Sequence, residues 1–338
     1  MTAKVLESFG GKLAEQWVAT LLTPAFVFWL GGLATLLQRW GWPELVAKLK
    51  DYPEPLQIAT LVVALCTIAA SAFVIQRFDF TVLRFLEGYG PLWPRPLKRW
   101  RIGKYRKLKA KYDTRRNDLR KIETQQKAKF NALETKIREQ VESTLTQAET
   151  TEYRQLYEQI LPSDQQEELL DLTKRIREMP KANTDLMPTR LGNLLRTAER
   201  KPLEKYGLDA VICWSRLWML LPEAVKKDLQ EARADLNTAA RVWLWSLLFC
   251  GWTVVGWNFQ SPWHTNLWTL WPLVGIFAAW FVYQWAIAAA SLYGELIEAA
   301  FDLHRHLLYQ SLRWNLPPDP TVEKRVGAEL TRYLRGGF

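Results

Sequence analysis

Glu295, Glu298, Asp302 and His306 stand immediately after a long run without Lys, Arg, Asp or Glu, Val242 to Gly294. Their offsets of three, seven and eleven residues set all four on one stripe of a helix, because side chains three and four apart lie one above the other. Ionisable groups at a membrane edge turn toward protein or water rather than lipid. Two kinds of chemistry suit such a stripe. Repeated around a symmetry axis, the carboxylates form acidic rings at a pore mouth, the arrangement that selects cations. Held inside one chain, they pair with cations, and Arg77, Arg84 and Arg241 flank other apolar runs at similar depth. His304 and His306 point apart on a helix, so a local His-x-His metal site is poor.

Other reactive constellations are missing. The sequence has no phosphate loop, nucleophile elbow, His-Glu-x-x-His or paired Cys-x-x-Cys motif. Three Cys and three scattered His support neither a disulfide framework nor a structural zinc site. The reading is a non-enzyme with no catalytic, cofactor-binding or metal-ligating residues and no cofactor.

The stripe needs a scaffold, and the apolar runs supply it. Val18 to Leu37 and Leu56 to Gln76 are also free of charge. A helix crosses a bilayer with about 20 apolar residues. The run from Val242 is long enough for two crossings, with Asn258, Gln260, Ser261, Pro262, His264 and Asn266 marking the turn between them. Spans are therefore expected at roughly 18–38, 56–76, 242–259 and 268–291. The first is read as a span and not as a cleaved signal, because it is long and no small-residue cleavage site precedes Gln38 and Arg39. Pro24 and the Gly31-Gly32 pair permit a kink in it. Ala59, Ala64, Ala69, Ala70, Ser71 and Ala72 give the second span a small-residue face for close helix approach. The 18 Trp fit the same layout. Trp40, Trp42, Trp257, Trp263 and Trp268 fall at one set of ends, and Trp17, Trp93, Trp243 and Trp245 at the other, where amphipathic rings settle. Trp29, Trp252 and Trp280 fall deeper.

Charge fixes orientation. From Arg95 to Lys121 there are 13 Lys or Arg against Asp113 and Asp118, enough to account for the whole net charge of +10. Basic residues near span ends stay in the cytoplasm, which places both termini there as well. Arg95, Lys98, Arg99, Arg101 and Lys104 are the expected contacts for anionic lipid headgroups. Trp100, Tyr105 and Tyr112 interleave with these charges as on a nucleic-acid surface, but a neighbouring bilayer explains both features, so nucleic acid is not the expected partner.

Between the second and third spans the pattern is helical. Ile102, Tyr105, Leu108, Tyr112, Arg115, Leu119, Ile122, Gln126, Phe130, Leu133, Ile137, Val141, Leu145 and Ala148 recur at about 3.5 residues per step, the coiled-coil spacing. A short helix is expected from Ser163 to about Glu178, and another from Thr189 to about Arg200. A third starts at Asp209 or Ala210, with Val211, Trp214, Trp218 and Leu221 on its core face. Pro222 opens a last helix that runs into the third span. The expected fold is all-α. A four-span bundle (hairpins 18–78 and 241–293) carries an inserted cytoplasmic helical and coiled-coil domain, 79–240, between the cytoplasmic segments 1–17 and 294–338.

Pro188-Thr-Arg-Leu-Gly-Asn193 and Tyr206-Gly-Leu-Asp-Ala210, followed by Trp214 and Arg216-Leu-Trp218, resemble a recurring pattern in uncharacterised bacterial multi-pass membrane proteins. The resemblance implies a bacterial inner-membrane protein and brings no activity with it. Three functions suit the layout. One is a homo-oligomeric channel or pore gated by its cytoplasmic domain. Another is a membrane-anchored scaffold or sensor that binds a cytoplasmic protein through the coiled coil. The last is a membrane effector of bacterial defence.

Overall fold

A computed structural model describes residues 23–43, 47, 53–90, 93–139, 163–256 and 270–336. It is all-helical, with no strand among the described residues. In chain order the helices are α1 (Thr23–Trp40), α2 (Glu54–Gln76), α3 (Asp79–Glu87), α4 (Arg95–Glu139), α5 (Ser163–Arg177), α6 (Arg190–Tyr206), α7 (Ala210–Leu220), α8 (Glu223–Phe249), α9 (Trp252–Gly256), α10 (Trp271–Ser311) and α11 (Pro320–Leu334). The segment 1–17, the turn at 258–266 and the seam positions Val141, Leu145 and Ala148 lie outside the described residues. So do the side chains of Leu133 and Ile137.

Three helices are long and apolar enough to cross a membrane: α2, the run Glu223–Val255 formed by α8 and α9, and α10. The described part of the expected first span is shorter, apolar from Thr23 to Leu37. The long helices outrun the bilayer. At about 1.5 Å per residue, the 41-residue α10 reaches roughly 60 Å, twice a hydrocarbon core. Both α8 and α10 therefore continue from an apolar stretch into the polar half of the molecule.

Among the apolar stretches, Phe28 of α1 packs against Trp29, Trp245 and Trp252 with ring centroids 5.5, 4.9 and 5.0 Å away. Where no water competes, an indole N–H needs an internal acceptor. Trp29 Nε1 donates to Ser71 Oγ at 3.1 Å, and Trp252 Nε1 to the Phe28 carbonyl at 2.9 Å. Trp271 Nε1 donates to Thr35 Oγ1 at 2.9 Å. The glycine pair of α1 provides clearance: a Cβ on Gly31 would fall 2.2 Å from the Phe249 ring, and one on Gly32 2.3 Å from Trp252.

The junction below is built from Leu83 and Leu86 of α3, Leu191, Leu194 and Leu195 of α6, Leu236 and Ala240 of α8, and Ala286, Ile287 and Ala290 of α10. A second core lies farther out, where Cys213 and Leu217 of α7 meet Leu229 of α8, Phe301, Leu308 and Tyr309 of α10, and Leu330 of α11. Local signals start these helices. Thr189 caps α6 by accepting from Gly192 N at 2.9 Å, and Asp209 caps α7 by accepting from Val211 N at 3.0 Å. Pro222 precedes α8, and Asp319 caps α11.

Two expectations change. α6 runs past Arg200 and through Pro202 to Tyr206, because its buried face continues through Ala198 and Pro202 before Gly207 ends it at φ +72°. The buried face of α7 is Ala210, Cys213, Leu217 and Leu221. Val211, expected inside, is exposed, while Trp214 stacks on Phe301 of α10 at 6.0 Å. The seam of α4 is covered as far as Leu119 by a helix of the same chain. α5 runs antiparallel beside it, with Arg115 bidentate on Glu168 at 2.8 Å and Leu119 and Leu172 buried. Lys109 Nζ donates to the Pro180 and Lys181 carbonyls at 2.7 and 2.6 Å.

Candidate functional site

The stripe lies on α10 just past the apolar stretch, and α6 packs alongside it. Gly294 allows the close approach: a Cβ there would stand 3.0 Å from Ala198 Cβ. From this point the two helices advance in the same direction, so Lys201 meets Glu298, and Lys205 reaches both Glu298 at 2.8 Å and Asp302 at 3.0 Å. Tyr206 Oη donates to Asp302 Oδ1 at 2.7 Å. Arg305 lies over the Tyr206 ring, 4.0 Å from its centroid, and pairs with Glu323 of α11 at 2.7 Å. The outer members of the stripe differ. Glu295 is exposed and accepts from Ser291 Oγ at 3.3 Å, and His306 is exposed.

The electrostatics follow from this register. Burial pushes the Glu298 carboxyl up, but the hydrogen bonds and charges of Lys201 and Lys205 outweigh it and hold the group below its ordinary value. Burial pulls the Lys205 ammonium down, and its bonds to Glu298 and Asp302 outweigh that and raise it. Each partner thus favours the charged form of the other.

Arg77, Arg84 and Arg241, the cations expected to serve the stripe, do not. Arg241 is buried and engages Asp79, Nε to Oδ1 at 3.1 Å with a second short Nη2–Oδ2 contact. Arg84 stacks on Tyr89, 4.1 Å from the ring centroid. Arg77 is exposed at the end of α2. Asp79 of α3 takes Arg241, while the Phe80 and Tyr89 rings flank Arg84. Lys201, Lys205 and Tyr206 were missed. Their signal is a matched spacing, two lysines four apart facing two carboxylates four apart on another amphipathic helix.

The basic segment divides in two. Arg95, Arg99 and Lys104 are exposed beside Leu97 and Trp100, which are exposed as well. Arg101 is half-buried and donates from Nε to the Pro188 carbonyl at 3.0 Å, while Lys98 lies 5.9 Å from the Tyr89 ring centroid. The first group faces outward; the second ties α4 to the junction.

The Pro188–Asn193 and Tyr206–Ala210 pattern is also structural. The buried Asn193 accepts from Met187 N at 2.7 Å and donates to the Met187 and Thr189 carbonyls at 3.0 and 2.9 Å. A Cβ on Gly192 would collide with the Glu87 carbonyl at 2.0 Å. Thr331 Oγ1 donates to the Gly207 carbonyl at 3.0 Å and accepts from Asp209 N at 3.1 Å. A Cβ on Gly327 would fall 2.0 Å from the Tyr206 carbonyl. The two halves of the pattern thus pin α6 to α3 and to α11.

No three His, Cys, Asp or Glu converge as a metal-binding group among the described residues. Burial pushes the Cys213 thiol up to about 11, which leaves it protonated and unreactive at neutral pH. Comparison with family models, with curated proteins and with solved structures yields no match.

Proposed function

We propose that this chain is a membrane-anchored scaffold or sensor of a bacterial inner membrane. Its cytoplasmic helices are joined rigidly to the membrane helices, and the long basic helix α4 is held out for a protein partner. The observation that carries the reading is the continuity of α8 and α10, each an unbroken helix that runs from a membrane-length apolar stretch into the polar-side cores. A movement at one end is then felt at the other. Both termini face the cytoplasm in this reading, and Arg95, Arg99 and Lys104 meet anionic headgroups while Trp100 and Leu97 enter the interface. Self-association is part of the proposal, since Ala59, Ala64 and Ala70 of α2 are exposed within one chain. No chemical reaction is assigned to it.

The reading ranks above a cation pore because the carboxylates of Glu298 and Asp302 are neutralised by Lys201 and Lys205 of the same chain. The test is planar-bilayer conductance of the purified chain, beside thermal melting, with and without Glu295→Gln, Glu298→Gln and Asp302→Asn together. The scaffold reading expects no conductance in either protein and a lower melting temperature in the variant, whose lysines lose their partners. Discrete conductance steps whose reversal potential shifts in the variant would overturn it in favour of the channel. Unselective leakage would favour a membrane-disrupting effector.

A further inference from the structure

Where α2 leaves its apolar run, its end, the start of α3 and one face of α8 border an open cleft of about 680 Å³. Gln76 and Arg77 come from the end of α2, Asp79 from the first turn of α3, and Arg233 and Asn237 from α8. Arg233, Asn237 and Arg241 follow one another at steps of four and so share one face of α8. Three boundaries between apolar and charged sequence meet here. Arg77 is the first charge after the run Leu56–Gln76, and Arg241 is the last before the run that begins at Val242. The Arg233 guanidinium lies 5.6 Å from the centroid of the Tyr293 ring, and Tyr293 stands two residues before Glu295, the first charge after the apolar stretch of α10.

The charges of the cleft do not cancel. Among the described residues Asp79 is the one carboxylate that borders it, and the buried Arg241 takes that carboxylate, Nε to Oδ1 at 3.1 Å. Arg77 and Arg233 are left over, for neither makes an ion pair among the described residues. Glu87 feels the charge of Arg233 but borders a different cavity and forms no ion pair with it. The side-chain amides of Gln76 and Asn237 make no hydrogen bond among the described residues either. Phe73, one turn before Arg77, and Phe80 are exposed and give the cleft apolar edges. Two unmatched guanidinium groups, two unspent amides and an apolar rim suit an anion that carries a hydrocarbon chain.

We propose that this cleft is a binding site for one anionic phospholipid of the leaflet from which α2 and α8 emerge. Arg77 and Arg233 hold the headgroup phosphate, since a guanidinium offers paired N–H donors that match phosphate oxygens. Gln76 and Asn237 donate to the remaining headgroup oxygens, and Phe73 lies along the start of an acyl chain. The Arg241–Asp79 pair sets the selectivity: by neutralising the acid of the cleft from behind, it leaves a net positive site that favours an anionic over a zwitterionic headgroup. This site is separate from the exposed cations of α4, which meet headgroups from one helix alone. A lipid held here bridges the second and third spans. The proposal needs only that α2, α8 and α10 cross a bilayer, and it stands whether or not the chain is a scaffold.

The test is native mass spectrometry of the full chain in detergent, titrated with phosphatidylglycerol or with phosphatidylcholine. A first phosphatidylglycerol should bind more tightly than phosphatidylcholine. Arg77→Gln should weaken it about fivefold, the factor expected of one basic residue at a lipid surface, and Arg233→Gln should weaken it further. Arg77→Lys keeps the charge and should recover most of the affinity. Arg77 is exposed, so its variants test the site even if Arg233→Gln disturbs the packing of Tyr293. Arg325→Gln, an equal change of charge on an exposed residue of α11, should leave the affinity as it is. Equal binding of the two lipids, no effect of Arg77→Gln, or the same loss in Arg325→Gln would overturn the proposal. Displacement of the lipid by an equal concentration of inorganic phosphate would also overturn it, because the site would then be one for a free anion.

Discussion

Asn193 shows how one side chain holds a loop. Its amide satisfies both backbone groups of Met187 and the Thr189 carbonyl, all in a buried setting. Replacing it with Ala leaves both Met187 groups without this partner at a cost of about 1–3 kcal/mol, while the Thr189 carbonyl keeps the backbone N–H of residue 193. Asn193→Ala is therefore expected to lower the melting temperature by several degrees without changing helix content, as differential scanning calorimetry with circular dichroism will show. Gly192 is more constrained, because any Cβ meets the carbonyl of Glu87. Gly192→Ala should destabilise at least as much, since the obstacle is backbone and not the end of a flexible side chain. Neither role was legible from the residue types: the sequence marked Asn193 as part of a pattern, but its bonds exist only once 187–193 curls on itself.

At the scale of elements, the pairing of α4 with α5 is the clearest case of a periodicity read correctly in type and only partly in partner. The apolar spacing from Ile102 announces a helix with a seam, and α4 is a helix from Arg95 to Glu139. The spacing does not say which surface covers the seam, because any apolar helix satisfies it. α5 covers it as far as Leu119, while Ile122 is exposed. Leu119→Asp places a charge at a site 1% exposed and should cost several kcal/mol if α5 stays docked. The expected outcome is undocking: faster hydrogen exchange across 163–177, loss of protease resistance there, and little change across 190–206. Uniform destabilisation of both segments would show that the arm and the junction fold as one unit.

For the whole molecule, the decisive quantity is the direction of the long helices through the membrane. The basic first turns of α4 are the reason to expect it on the cytoplasmic side. In a background where Cys66, Cys213 and Cys250 are replaced, single cysteines at Asn117 and at Gln260 should label from opposite faces of sealed vesicles. Labelling of both from one face would remove the four-span arrangement and, with it, the cytoplasmic placement of the junction. The same vesicles report on the anionic-lipid contacts. Arg95→Gln, Arg99→Gln and Lys104→Gln together should weaken the preference for anionic over neutral lipid, most at low salt, because exposed charges act through a screened field.

The sequence by itself determined the solvent each stretch prefers and the points where helices begin. Charge-free runs avoid water, and proline and capping side chains act on their own first turn, so Leu56–Gln76, Thr189, Asp209 and Pro222 were all readable locally. Tertiary structure alone decided which charges meet. Lys201 and Glu298 are 97 residues apart, and their contact depends on the register set by Ala198 against Gly294. It also turned the buried face of α7 from Val211 to Cys213 and Leu217, and set Gly31 and Gly32 against Phe249 and Trp252. These are choices among surfaces of similar hydrophobicity or charge. Composition ranks them equally, and only the shapes of the packed helices separate them.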